Sequence, residues 1–385
     1  MKFPPLHAAS RRAAHPARQA GFSLIELMVG VVIGMIAIVV ISQVFSLSEG
    51  FKRTTLRGDE ATNNGAIALA TIQGDVRQAG YGVNAVSGTT SRPALYGCSL
   101  ALQGGWTLPR IAPAVINDAA LPPRDANTDT LTIMYGNGGG SPEGDPVLAP
   151  ASPTAVVSKT YVIATPDTFF ANDRIVALPS PAPAPCALSL DRVLAKATAP
   201  TPQVTVDIGF GNIANGSTLF NLGPAPRMLA YRVREGVLRV CDYMASDCTS
   251  LASAGDDDVW LPIADNVVSL RVQYGRDTSV AMDNVVDIFD QTAPTNACEW
   301  ARVSALRVSL VTRSAQLERV DPVTGNPVTT AAPTLADPME EAPVDIAPLS
   351  VDLSGNPDWQ MYRYRVFETT APLRNIAWQG VPAGC

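Results

Sequence analysis

Histidine and lysine set the first limit on what chemistry this chain can do. The only histidines are His7 and His15, both within the first 21 residues. Beyond them there is no histidine for a Ser-His-Asp triad, a Cys-His dyad or a His-containing metal site. After residue 21 the lysines are Lys52, Lys159 and Lys196, and no Ser-x-x-Lys, Gly-x-x-x-x-Gly-Lys or Gly-x-Ser-x-Gly pattern occurs. Thirty-five acids leave carboxylate-pair hydrolysis open as a residue class. With the groups for most other mechanisms missing, the expectation is a protein that is not an enzyme and needs no cofactor.

Two other groupings invite chemistry. Asp256, Asp257 and Asp258 form the one run that offers several oxygens to a hard cation such as calcium. Three adjacent Asp side chains cannot all converge on one ion, so the run reads as a solvated acidic turn and no metal is expected. The six cysteines, Cys98, Cys186, Cys241, Cys248, Cys298 and Cys385, suit an oxidising compartment. Six residues lie between Cys241 and Cys248, close enough to pair locally. The other four allow three connectivities. No Cys-x-x-Cys occurs.

The most constrained stretch lies at the start. Residues 22–47 are a 26-residue apolar run with one charge, Glu26. As a helix the run would be roughly 39 Å long, enough to cross a bilayer core of ~30 Å. A single carboxylate there is costly unless it is used. Lys2, Arg11, Arg12 and Arg18 precede it with no acid, which favours a cytoplasmic N-terminus. A secretory signal would have a shorter apolar core cut after small residues. A plain membrane anchor explains the length but not a Glu five residues past a Gly-Phe junction.

Gln19-Ala20-Gly21-Phe22-Ser23-Leu24-Ile25-Glu26, with a basic leader before it and an apolar helix after it, resembles the signal of type IV prepilins and pseudopilins. The resemblance implies cleavage between Gly21 and Phe22 by a prepilin peptidase, and N-methylation of Phe22. It also implies subunit docking in which Glu26 meets the new Phe22 amine, of a neighbour or of its own chain. Glu26 in a first turn also suits the helix dipole. Gly30 and Gly34 have the Gly-x-x-x-Gly spacing that permits close helix packing. Where major pilins carry a helix-bending proline, this chain has Gln43, which points to a minor subunit.

The helix is expected to run to about Ala79, with Leu69, Ile72 and Val76 as a stripe for a globular head. Residues 57–65 read as a weak or bent section because of Gly58 and Gly65. Gly80-Tyr81-Gly82 ends the helix. Beyond it, short alternating runs and Pro/Gly-rich loops suggest strands at Asp129–Tyr135, Lys159–Thr165, Arg174–Leu178, a hairpin through Glu235-Gly236, and strands around Val268–Tyr274, Leu306–Leu310 and Met361–Glu368. Residues 180–185 and 199–202 read as extended connectors, and residues 321–349, with six prolines and five acids, as a surface excursion. The tryptophans are scattered and read as core or sheet surface.

Patches at residues 75–82, 231–238, 263–275, 307–314 and 365–375 resemble PilW-type minor pilins. The expected architecture is an α+β, type IV pilin-like fold: leader 1–21, helix 22–80 with a membrane span at 22–47, and a head at 81–385. The helix would pack on a mainly antiparallel β-sheet head with long loops. The resemblance implies a role in initiating and assembling the type IV pilus, at its tip, with other minor pilins, the major pilin and a large tip adhesin. The protein would sit in the inner membrane with a periplasmic head before assembly. The rival readings are a minor pseudopilin of type II secretion and a single-pass membrane protein with a periplasmic binding head. After residue 21 the chain has 24 basic and 35 acidic residues, net −11, a poor balance for binding nucleic acid.

Overall fold

The computed structural model describes residues 23–83, 95–150, 157–318, 320, 324–335, 345–346 and 349–377. The chain forms two compact units, Met1–Leu56 and Arg57–Cys385. Helix α1 covers Leu24–Gln78. There follow β1 (Ser99–Ala101), β2 (Thr107–Leu108), β3 (Ala114–Ile116) and β4 (Leu131–Tyr135). The middle of the chain supplies β5 (Asp145–Pro150), β6 (Val157–Ile163), β7 (Arg174–Leu178), β8 (Ala187–Ala197), β9 (Gln203–Gly211) and β10 (Thr218–Gly223). Next come β11 (Arg227–Arg234), β12 (Val237–Asp242), β13 (Leu261–Asp265) and β14 (Val267–Arg276). Last are β15 (Ile288–Asp290), the short helix α2 (Ala297–Ala301), β16 (Val303–Arg313), β17 (Asp345–Ile346), β18 (Tyr364–Pro372) and helix α3 (Arg374–Ala377).

The head differs from the single sheet expected. It contains two five-stranded sheets, ordered β13-β12-β11-β4-β3 and β17-β15-β14-β16-β18, and a barrel. In the barrel, β8, β7, β10, β5, β6 and β9 pair in that order, and β9 pairs back onto β8. Every one of these pairings is antiparallel. β1 and β2 extend the same sheet from β8. The strands close because their residues alternate. Val204 and Val206 of β9 point inward with Tyr161 and Ile163 of β6, while Thr205 and Asp207 face out. These apolar residues, with Phe169, Ile175, Val193, Phe210 and Leu219, make a core of their own, separate from the main one.

The closing seam is held by a buried acid. Asp191 accepts the backbone N–H groups of Arg192 at 2.7 Å, Ile208 at 3.1 Å and Gly209 at 2.7 Å. A side chain at position 209 would run into the Ser158 carbonyl at 2.5 Å, at a φ of +97°, so only glycine lets β9 lie this close to β6.

The barrel is an insertion in a hairpin. β4 and β11 are direct partners, with Tyr135 opposite Arg227. Its first and last strands pair, Asp145 opposite Leu219, so its two ends leave side by side. Cys98–Cys186 ties the start of β8 to the segment before β1.

α1 presents Ala68, Ile72, Val76 and, just past its end, Ala79 to the main core, each at most 1 % exposed. The stripe is centred on Ala68 rather than Leu69, which packs at its margin. Burying each of Ile72 and Val76 stabilises the head by roughly 1.5–3 kcal/mol. The helix is unbroken through residues 57–65, against the weak section expected there. Gly65 is buried against the ring of Phe367 on β18 and serves as a contact point. The Glu235-Gly236 hairpin forms as expected, with both residues at positive φ (56° and 72°) between β11 and β12. Residues 199–202 make a reversal that brings Gln203 opposite Ala197.

Candidate assembly site on the N-terminal helix

Gly21 and Phe22 lie outside the described residues. Ser23, the first described residue, caps α1. The Ile25 N–H donates to Ser23 Oγ at 3.4 Å, and the Ser23 N–H donates to Glu26 Oε2 at 3.3 Å. The Leu27 N–H reaches the Ser23 carbonyl at 3.2 Å. A Ser followed three residues later by Glu is a capping box, in which each side chain satisfies a backbone donor that the first helical turn leaves orphaned. Glu26 therefore has a local partner besides the amine that sequence reasoning assigned to it. The Ser-x-x-Glu spacing was the signal for this role.

From Leu24 to Phe45 the helix is long and apolar enough to cross a membrane, with mean hydropathy 2.9, and none of that segment is buried. Leu24, Ile25, Ile38 and Phe45 are each more than two-thirds exposed. So much apolar surface is stable in a lipid or protein environment and unfavourable in water. Gly30 and Gly34 fall on one face, four residues apart, and a Cβ at either would meet no atom within 4 Å. The absence of a Cβ at both leaves the backbone bare on that face. Phe51 and Leu56, which continue the apolar run in sequence, have side chains outside the described set.

The other end of α1 is clasped to the head by polar contacts. The Asp75 carboxylate accepts the Tyr135 hydroxyl at 2.7 Å and the Tyr231 hydroxyl on its other oxygen. Burial, reinforced by this carboxylate, pushes both tyrosines well above the usual phenol range. Gln73 Nε2 donates to Thr369 Oγ1 at 2.6 Å. Asn375 Nδ2 donates to the carbonyls of Gln78 and Ala79 at 3.0 and 3.1 Å, capping the helix. Sequence reasoning picked out residues 75–82 as a motif but gave Asp75 no role, because its partners are 60 and 156 residues away.

Two of the three aspartate side chains have separate partners. Asp257 pairs with Arg239, and Asp256 Oδ1 accepts the Asp258 N–H at 2.9 Å. Among the described residues no group of three His, Cys, Asp or Glu side chains is placed to hold a metal ion. Cys241 pairs with Cys248, and Cys98 with Cys186. Cys298 is also disulfide-bonded, and Cys385 lies outside the described residues.

Comparison with known proteins agrees with this geometry. Residues 16–42 match the Prokaryotic N-terminal methylation motif, and residues 238–375 match Type IV Pilus-assembly protein W. Over those stretches the chain is similar to PilW-type pilins and carries a prepilin-type methylation signal. The PilW match runs from β12 through α3 and so leaves the barrel outside it. A type IV-like pilin from Thermus thermophilus is 16 % identical, with a TM-score of 0.22 over 54 % of this chain and 87 % of its own. No curated protein matches the chain.

Proposed function

We propose that this chain is a PilW-type minor pilin that helps to initiate and assemble a type IV pilus, positioned at the tip with other minor pilins. Its work is assembly, not turnover. A prepilin peptidase cuts between Gly21 and Phe22 and the new amine is methylated. The exposed apolar face of Leu24–Phe45 moves from lipid to the helices of neighbouring subunits, with Gly30 and Gly34 admitting one of them closely. Glu26, placed at the very start of the helix, meets the Phe22 amine of a neighbour and sets its axial position, since each buried charge needs a partner. A head of this size, with an inserted barrel, fits a terminal position better than a repeated one. Major pilin and a large tip adhesin are the further partners.

The observation that carries this reading is the unburied apolar helix beginning within the methylation motif, with its one carboxylate in the first turn. The test is mass spectrometry of the mature N-terminus joined to deletion and complementation. Methylated Phe22 and loss of surface pili on deletion are the expected results. An intact leader, or normal piliation in the deletion strain, overturns the reading. Scoring secretion in the same strain separates the pseudopilin alternative.

A further inference from the structure

Sheet edges are where a head of this kind recruits other chains, because unpaired main-chain groups bond to any extended segment that fits. Most edges among the described strands are closed off. The barrel has none between β9 and β8. β2 and β17 are two residues long. β3 has three residues, and its Ile116 N–H is taken by the Tyr274 hydroxyl at 2.7 Å. β13 carries Pro262 and a bulge in its pairing.

β18 is the exception among the described strands. It is nine residues long, ends the sheet, and pairs with β16 in unbroken register from Ala305–Pro372 to Arg313–Tyr364. The two bonds that bracket the ladder fix which way its main chain faces. The Ser314 N–H donates to the Arg363 carbonyl at 2.8 Å and the Leu373 N–H to the Ser304 carbonyl at 2.9 Å. In an antiparallel pair such bonded positions recur every second residue, so odd-numbered residues of β18 bond to β16 and even-numbered ones point away. Pro372 falls on the outward set, where its missing N–H costs nothing. Tyr364, Val366 and Thr370 turn their N–H and carbonyl groups outward, where no described strand lies beside them. Arg365, exposed between the first two, makes no hydrogen bond or ion pair among the described residues.

We infer that the outer edge of β18 is an acceptor for an extended segment of a different pilin subunit, added as a further antiparallel strand. This rests on the pilus-assembly reading above. The occupant follows from the chemistry. Outward N–H and carbonyl groups at Tyr364, Val366 and Thr370 match a β-strand backbone and no other secondary structure. A second copy of β18 would close a twofold pair, and a subunit held at a single terminal position has no second copy beside it. The donor is therefore a heterologous strand, and an acidic side chain in it is the complement of Arg365.

The test uses the full-length protein in its own membrane, co-expressed with the other minor pilins of its system. Amide exchange at Val366 and Thr370 is expected to slow by about tenfold or more on assembly. Phe367 and Thr369, already bonded to β16, are expected to be slow in both states. Thr370→Pro deletes only an outward N–H and is expected to abolish incorporation while the two disulfides still form. Arg365→Glu, a surface change, keeps the question open should the proline variant not fold; it is expected to lower incorporation several-fold. Unchanged exchange at Val366 and Thr370 in the assembled state overturns the edge proposal. Wild-type incorporation of a folded Thr370→Pro protein overturns it too. Normal piliation of the deletion strain instead overturns the pilus reading, so the two failures are distinguishable.

Discussion

Gly65 of the N-terminal helix lies against the ring of Phe367 on β18, with no room for a Cβ between them. In an exposed helix, Gly→Ala stabilises by about 1 kcal/mol. Here the sign is expected to reverse. Gly65→Ala should lower the melting temperature of the wild-type head and raise it in a Phe367→Ala background. A thermal-melt double-mutant cycle reads the coupling, expected at about 1–3 kcal/mol. Additive effects would mean the two residues do not touch.

Tyr135 and Tyr231 give the head an alkaline limit. Both have folded-state pKa values above their unfolded value, through burial first and Asp75 second. The folded state therefore holds these protons more tightly. Their contribution is fully present below pH ~10 and is lost as pH rises above it, at about 1.4 kcal/mol per pH unit for each group. Denaturant melts at rising pH should stay flat to about pH 10 and then fall. The fall should be shallower in Tyr231→Phe. Tyr161, Tyr274 and Tyr364 are pushed up to about 12 and add to the same slope.

At the other end of the helix, charge and capping can be separated. Ser23→Ala removes a cap worth about 1 kcal/mol and should leave assembly intact. Glu26→Gln keeps an oxygen for the Ser23 N–H but loses the charge, and Glu26→Ala loses both. If the carboxylate docks a neighbour's amine, both Glu26 variants insert in the membrane and fail to form pili. Counting surface pili against membrane-fraction protein checks this. Normal piliation of Glu26→Gln would show that the cap is the whole of Glu26's role.

The two described disulfides should differ in weight. Cys98–Cys186 closes a loop with a sequence separation of 88 and Cys241–Cys248 one of 7. Loop-closure entropy assigns them about 4–5 and about 2–3 kcal/mol respectively. Replacing both cysteines of each pair with serine, followed by urea unfolding, should rank them in that order.

Local signals were legible in the sequence, and long-range ones were not. The Gly-Phe junction, the single charge and the unbroken apolar run identify the helix, because a membrane-spanning helix is specified by a continuous stretch. The Glu235-Gly236 turn and the cores of β4, β14 and β16 follow from short runs with period-two alternation, and β7 from a short apolar run. The barrel did not. Its strands at 187–223 alternate, but closure depends on β9 meeting β8 and on Asp191 gathering backbone donors across the seam, which nothing in the linear order announces. Gly65 was misjudged for the same reason. Its propensity argues for a weak helix, whereas Phe367, some 300 residues away, decides its purpose.

The insertion of the barrel between Tyr135 and Arg227 also bears on how such a head can change over time. The β4–β11 ladder is set by residues on either side of the insertion and by none within it. What hangs from that hairpin can therefore vary in its solvent-facing loops without resetting the ladder, while Val176, Leu178, Leu190 and Leu222, which enter the main core, have to stay apolar. The parts that grip the helix, Asp75 with Tyr135 and Tyr231, stay where they were. Change in the loops of the insertion is thereby separated from the residues that hold the helix.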